Sequence, residues 1–240
     1  MGRKHGAAAV AWHPKSGAVE WMGQPGEFRL SGRLTLQRFL HQAGGGGNLA
    51  VLRSARCVIG IDAPLGYPRA FRRLVYGEAV LPEYPAREID NAFAYRETER
   101  HVHKVRHKKP LSAPFDKLGN NASVALSHAR RWSRESGIKI VPFEEVAPGE
   151  NVIIEVYPAL EKTREGDLRG ALRELMPDEV EPKTDAYDAA ICSLIALAYA
   201  AEGRIDGLPK VCGPEVRSEV IQEEGWIYYL DGCDLQVTHA

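Results

Sequence analysis

Three carboxylates stand where the chain otherwise reads as interior. Asp62 ends the run Cys57-Val58-Ile59-Gly60-Ile61, Glu155 is embedded in Ile153-Ile154-Glu155-Val156, and Asp188 lies one turn into an apolar stretch that continues to Ala201. Asp185 precedes Asp188 by three residues, which on a helix puts both on one face. A buried carboxylate needs compensation. Gathered carboxylates repel one another in a low dielectric and raise each other's pKa values. A divalent cation removes that cost, and Mg²⁺ and Mn²⁺ prefer oxygen ligands of this kind. Two such ions about 3.5–4 Å apart can activate a water and stabilise the leaving oxygen of a phosphodiester. The sequence therefore nominates Asp62, Glu155 and Asp188 as catalytic, and Asp62, Asp185 and Asp188 as metal ligands. Plainer readings stand beside these. Asp185 also reads as a charge favoured at a helix N-terminus. Asp62 reads as an acceptor for the Pro64-Leu65-Gly66 turn, and Glu155 as the partner of an arginine. Asp188 has the fewest alternatives.

A second set of residues could hold phosphates. Arg96, Arg100, Lys104, Arg106, Lys108 and Lys109 fall within fourteen positions, interleaved with His101, His103 and His107 and opposed by Glu97 and Glu99. Such a patch could position a nucleic-acid backbone next to the carboxylates, and Arg96, Arg100 and Lys104 are the candidates for substrate contact. Arg69, Arg72 and Arg73 could extend it. The alternative is a solvated loop. His101-x-His103 lacks a third metal ligand at suitable spacing.

The elements that must carry these residues follow from pattern. Cys57–Asp62 and Asn151–Tyr157 are apolar runs, each with a carboxylate near its end and a proline soon after, as expected of interior strands. Helical sequence between them indicates an α/β fold. Ala7–Trp12 and Val19–Trp21 flank turn residues and predict a hairpin. Helices are expected over Gly32–Gln42, Ser123–Ser136, Pro158–Leu175 and Thr184–Ala201. The last has Thr184 as N-cap, Asp185 in its first turn and Gly203 just beyond its end. Gly44–Gly47 is not followed by Gly-Lys-Ser/Thr and reads as a connector. Leu81–Gly119, rich in proline and charge, reads as an insertion or lid, and Glu215–Leu230 as a closing hairpin.

A length of 240 residues suits one domain, 1–240, with residues 81–119 inserted in it. Lys+Arg 31 against Asp+Glu 32 leaves a formal charge of −1, so any nucleic-acid binding must come from a local patch. The four cysteines (Cys57, Cys192, Cys212 and Cys233) form no C-x-x-C pair, which disfavours a zinc ribbon or disulfide scaffold and suits reduced thiols in the cytoplasm. No secretory leader is visible, and Ala189–Ala201 is too short to cross a bilayer.

Ile59-Gly60-Ile61-Asp62-Ala63-Pro64-Leu65-Gly66, Ile154-Glu155-Val156-Tyr157-Pro158-Ala159, Asp185-Ala186-Tyr187-Asp188-Ala189 and Glu224-Gly225-Trp226-Ile227-Tyr228 together resemble the RNase H-like nuclease family catalogued as domain of unknown function 429 (DUF429). The Asp-x-x-Asp-Ala element is also similar to that of RuvC-type resolvases. The resemblance runs in order from about Gly6 to Leu230. It implies a ribonuclease H-like mixed five-stranded sheet of order 3-2-1-4-5, flanked by helices. Asp62 would end the fourth strand, Glu155 would lie on the fifth and Asp185/Asp188 on the last main helix, with the insertion between strands four and five. It further implies nuclease activity with Mg²⁺ or Mn²⁺, and Arg96 as part of an Arg-x-Thr-acidic element.

The chain departs from this pattern at its start. The family opens with a strand of the form apolar-Gly-x-Asp, and no Asp occurs in Met1–Gln42. With that strand missing, its neighbours would stand about 9–10 Å apart, too far for ladder hydrogen bonds. Three explanations compete: a true start upstream of Met1, Ala7–Trp12 serving as the central strand with Phe28-Arg29-Leu30 completing the trio, or a different fold. In each case one metal ligand is lacking, so cleavage by these residues is expected to be absent or poor. The expected function is phosphodiester hydrolysis of nucleic acid. The rivals are a catalytically inactive RNase H-fold module for nucleic-acid binding or assembly, and a phosphotransferase, against which the lack of a glycine-rich phosphate cradle counts.

Overall fold

The computed structural model describes residues 4–29, 32–44, 46, 49–78, 85–162, 168 and 170–231. Near its start, β1 (His5–Ala7), β2 (Val10–His13), β3 (Ala18–Trp21) and β4 (Gly26–Phe28) make two antiparallel ladders, β1 with β4 and β2 with β3. The β2–β3 turn closes as its residues dictate. Gly17 takes the left-handed conformation (φ 74°) and donates its N–H to the His13 carbonyl at 2.8 Å. Next come α1 (Leu36–Gln42), capped by the Thr35 hydroxyl, α2 (Val51–Ser54), β5 (Val58–Ile61), α3 (Arg69–Val75) and α4 (Glu97–Arg106). The chain continues through α5 (Gly119–Ser136), β6 (Lys139–Ile140), β7 (Val152–Val156), α6 (Ala171–Leu175), α7 (Asp185–Ala201), β8 (Val211–Cys212), α8 (Glu219–Glu224) and β9 (Ile227–Leu230).

A mixed five-stranded sheet is flanked by helices. β7 is its buried centre, with β5 parallel along one edge. β6 and β9 share the other edge, also parallel, and β8 is antiparallel to β9. Alternation along β7 sorts its side chains between two layers. Val152, Ile154 and Val156 pack with Ile191, Leu194 and Ile195 of α7, whereas Ile153 joins Ile59, Leu40 and the α5 residues Ala129 and Trp132. α7 starts where expected, the Thr184 hydroxyl accepting from the Tyr187 N–H at 3.1 Å. It is nearly apolar all round because the sheet and the N-terminal ladders both cover it.

Among the described residues, β5 has a strand partner on one edge only. β1 and β2 do not join it, so Ala7–Trp12 is not the central strand. The expected order 3-2-1-4-5 gives way to a sheet built from later strands, with the N-terminal ladders standing apart. α7 spans the break. Two glycines permit this: a Cβ on Gly6 would collide with the Asp185 carbonyl, and one on Gly60 would lie 2.8 Å from the Cys192 carbonyl oxygen. Backbone approach this close admits no side chain.

Other expectations also change. Residues 81–84 lie outside the described residues. From Glu97 the supposed lid is a helix, with Thr98, Glu99 and Val102 buried, because internal ion pairing satisfies charges that read as solvated. Pro158–Leu175 is not one helix. A 3₁₀ turn (Pro158–Glu161) is followed by a bridge between Lys162 and Leu168 and then by α6, with 163–167 and 169 outside the described residues. The closing segment is a helix and a strand (α8 and β9), because β9 pairs with β7 and β8 rather than with the residues just before it. Leu30, Gly45, Gly47 and Cys233 also lie outside the described residues, in which Cys57, Cys192 and Cys212 are free thiols. No described helix is long and apolar enough to cross a membrane.

Candidate functional site

The break between β1 and β5 is a cavity of about 430 Å³. Lys4–Ala8 line one side and Gly60–Ala63 the other. α7 supplies Asp185, Asp188, Ala189, Cys192 and Ser193, and α5 supplies Asn121, Val124, Ala125, His128 and Trp132. The α7 residues recur at helical spacing, so one face of that helix forms the floor. Asp62 reaches the cavity as the first residue beyond β5. Asp62, Asp185 and Asp188, distant in the chain, thus share one chamber.

Their electrostatics are coupled. The Asp62 pKa is pushed up to about 7, first by burial of its surroundings and then by the Asp188 carboxylate, with smaller contributions from Glu155 and Asp185. Asp62 itself opens onto the cavity, but protein walls on several sides solvate a carboxylate less well than an outer surface does. Lys162 acts in the opposite sense. Its ammonium pairs with the Asp188 carboxylate, lies 5.7 Å from the centre of the Tyr187 ring, and favours ionised Asp62. The Cys192 thiol is raised well above its ordinary value by burial and by both aspartates, which holds it protonated and poorly nucleophilic. His5 and His128 also line the chamber, and each has a buried ring nitrogen without a hydrogen-bond partner among the described residues.

Glu155 and Arg96 are employed elsewhere. Arg96 is fully buried and grips Glu155 at two points, Nη1 to Oε2 at 2.8 Å and Nη2 to Oε1 at 2.5 Å. The Leu65 N–H donates to the same Glu155 Oε2 at 2.8 Å. Arg96 also binds Glu99 and donates to the Glu224 carbonyl oxygen at 3.1 Å. Burial alone would lower the Arg96 pKa, but Glu155 and Glu99 hold it above its usual value. The Glu224 carboxylate accepts from the Arg69 and Glu97 N–H groups at 2.7 and 2.8 Å. This network ties α4, α8, β7 and the turn after Asp62 together. It leaves Arg96 no access to substrate and commits the Glu155 carboxylate to internal partners. Glu155 is thus partnered by an arginine, the plainer of its two readings, and in this structure neither Glu155 nor Arg96 lines the cavity. Arg100 is half-buried and donates to the Tyr95 carbonyl at 2.7 Å, while Lys104 is exposed on α4. Neither belongs to the cavity wall.

The remaining donors suit Mg²⁺ or Mn²⁺ in kind, being hard carboxylate oxygens. They fall short in number. Among the described residues no three metal-capable side chains converge on one point, and Asp188 already faces an ammonium. The described residues do not by themselves fit a resident divalent ion. They do bring Asp62, its pKa pushed up to about 7, into one chamber with a second carboxylate held by a cation, an arrangement that can support acid–base chemistry near neutral pH. Sequence reasoning missed Lys162. Its only signal is its place just after the turn that ends the Glu155 strand, and no spacing rule links it to Asp188.

Residues 2–164 match the family model described as "Protein of unknown function (DUF429)". That span includes Asp62, Glu155 and Lys162, whereas α7 with Asp185 and Asp188 lies beyond it. No curated protein and no solved structure matches the chain. With more than half of its length matched, the chain belongs to the DUF429 family.

Proposed function

We propose that this chain is built on the plan of an RNase H-like nuclease, with the Asp62–Asp188 pair as the acidic centre of a phosphodiester-hydrolysing site acting on nucleic acid. One observation carries the reading. The two aspartates, far apart in sequence, meet in one cavity where the Asp62 pKa is pushed up to about 7. Such a group can take or give a proton at neutral pH while its neighbour orients the reacting water. Lys104 and Arg100 on α4 are the candidate phosphate contacts.

Hydrolysis by this chain is expected to be weak, because among the described residues the ligand set for Mg²⁺ or Mn²⁺ is short. The cavity lies between the β1 segment and the edge of β5 that has no strand partner among the described residues, so an added strand bearing an aspartate has a place to lie. The test is cleavage of labelled DNA and RNA with Mn²⁺, by this chain and by the chain carrying an N-terminal segment of the form apolar-Gly-x-Asp. Weak or no cleavage by the first and cleavage by the second, lost in Asp62→Asn, supports the reading. Equal robust activity in both defeats the idea that the set is incomplete, and no activity in either defeats the nuclease reading.

A second reading, an inactive nucleic-acid-binding or assembly module, is favoured by the same shortage of ligands. It predicts binding that weakens steeply with salt and no cleavage in either protein.

A further inference from the structure

Lys162 is held in place by the turn before it and by a backbone bridge to Leu168. The turn Pro158–Glu161 leads directly from β7. Within it Glu161 is fully buried and accepts the Leu230 N–H at 3.1 Å, and the Lys162 backbone bridges to Leu168. The side chain is 18% exposed, and its ammonium pairs with Asp188 beside the Tyr187 ring. An anchored, largely covered lysine on one carboxylate of a mutually repelling pair neutralises charge there as a bound metal ion would.

We propose that Lys162 is the resident counter-cation of the Asp62–Asp188 pair and weakens the binding of divalent cations there. This rests on reading the two aspartates as one centre, but not on that centre cleaving anything. A metal ion entering beside Asp188 meets a fixed positive charge and must compete with the ammonium for the same oxygen. Removing the charge leaves two carboxylates facing one cavity without compensation, which favours a cation.

The test is Mn²⁺ binding near neutral pH, read by electron paramagnetic resonance and calorimetry on the full chain. It compares wild type, Lys162→Met, Lys162→Gln, Lys162→Arg and Lys162→Met/Asp188→Asn. Thermal unfolding in EDTA identifies which neutral variant is folded, and either one serves. The expected result is Mn²⁺ affinity at least tenfold higher in the neutral variant than in wild type. Lys162→Arg should match wild type, and the double variant should lose the gain. Affinity in the neutral variants equal to or below that of wild type would overturn the proposal, as would a gain that survives Asp188→Asn. Nucleic-acid cleavage plays no part in this readout, so a failure here is distinguishable from a failure of the nuclease reading.

Discussion

Arg96 and Glu155 form a two-point ion pair, the arginine fully buried and the glutamate nearly so, joining the residue just before α4 to the central strand. The pair converts two residues that look like catalytic machinery into a brace. The brace helps set the position of the cavity without entering it, because the same Glu155 oxygen that meets Arg96 also receives the N–H of Leu65, in the turn that follows Asp62.

Breaking the brace leaves unpaired charge in the interior. Arg96→Met strands Glu99 and Glu155 together and should cost about 3–5 kcal/mol. Urea unfolding at pH 7 measures this. A loss below about 1 kcal/mol would show that the network is not structural.

Stability should depend on pH through Asp62. Its folded pKa lies above its unfolded value, so the folded state holds the proton more tightly between about pH 4 and pH 7. Stability from this group is therefore full at the acid end and is lost as pH rises through 7. Asp62→Asn should be more stable than wild type at pH 8, by roughly 1 kcal/mol once screening by cavity water is allowed for. The difference should vanish near pH 4. Unfolding curves at the two pH values decide this, and an Asp62→Asn variant less stable at pH 8 would contradict it.

Gly60→Ala should open the contact between β5 and α7. The new Cβ meets the Cys192 carbonyl, which belongs to helix backbone and cannot swing away. The expected loss is about 1–3 kcal/mol, as for other overpacked sites. The Asp62 titration should also move toward the ordinary carboxylate range as Asp188 recedes. Unchanged stability and titration together would mean that the close approach is not needed.

Much of this was legible in the sequence for physical reasons. Val152–Val156 and Asp185–Ala201 announce themselves because continuous apolar runs must be buried, and Asp62 and Asp188 stand out against them. Their convergence was inferred from the cost of burying charge, and one cavity does contain both. What composition does not reveal is the setting of the charge around Arg96. A run of Arg, Glu and His has the same composition whether it faces water or pairs internally, and the decisive partner, Glu155, is remote in sequence. Lys162 was invisible for the same reason. The shapes of 158–175 and 215–230 were misread because β9 and the bridge at Lys162 are set by long-range pairing rather than by local period.

The most direct test of the coupled pair is a carbon-13 NMR titration of the Asp62 carboxyl in wild type and in Asp188→Asn. The account predicts a midpoint near 7 in wild type, falling in the variant but staying above the ordinary value, because burial is the larger cause. A wild-type midpoint in the usual aspartate range, unmoved by Asp188→Asn, would show that the two carboxylates do not share a site.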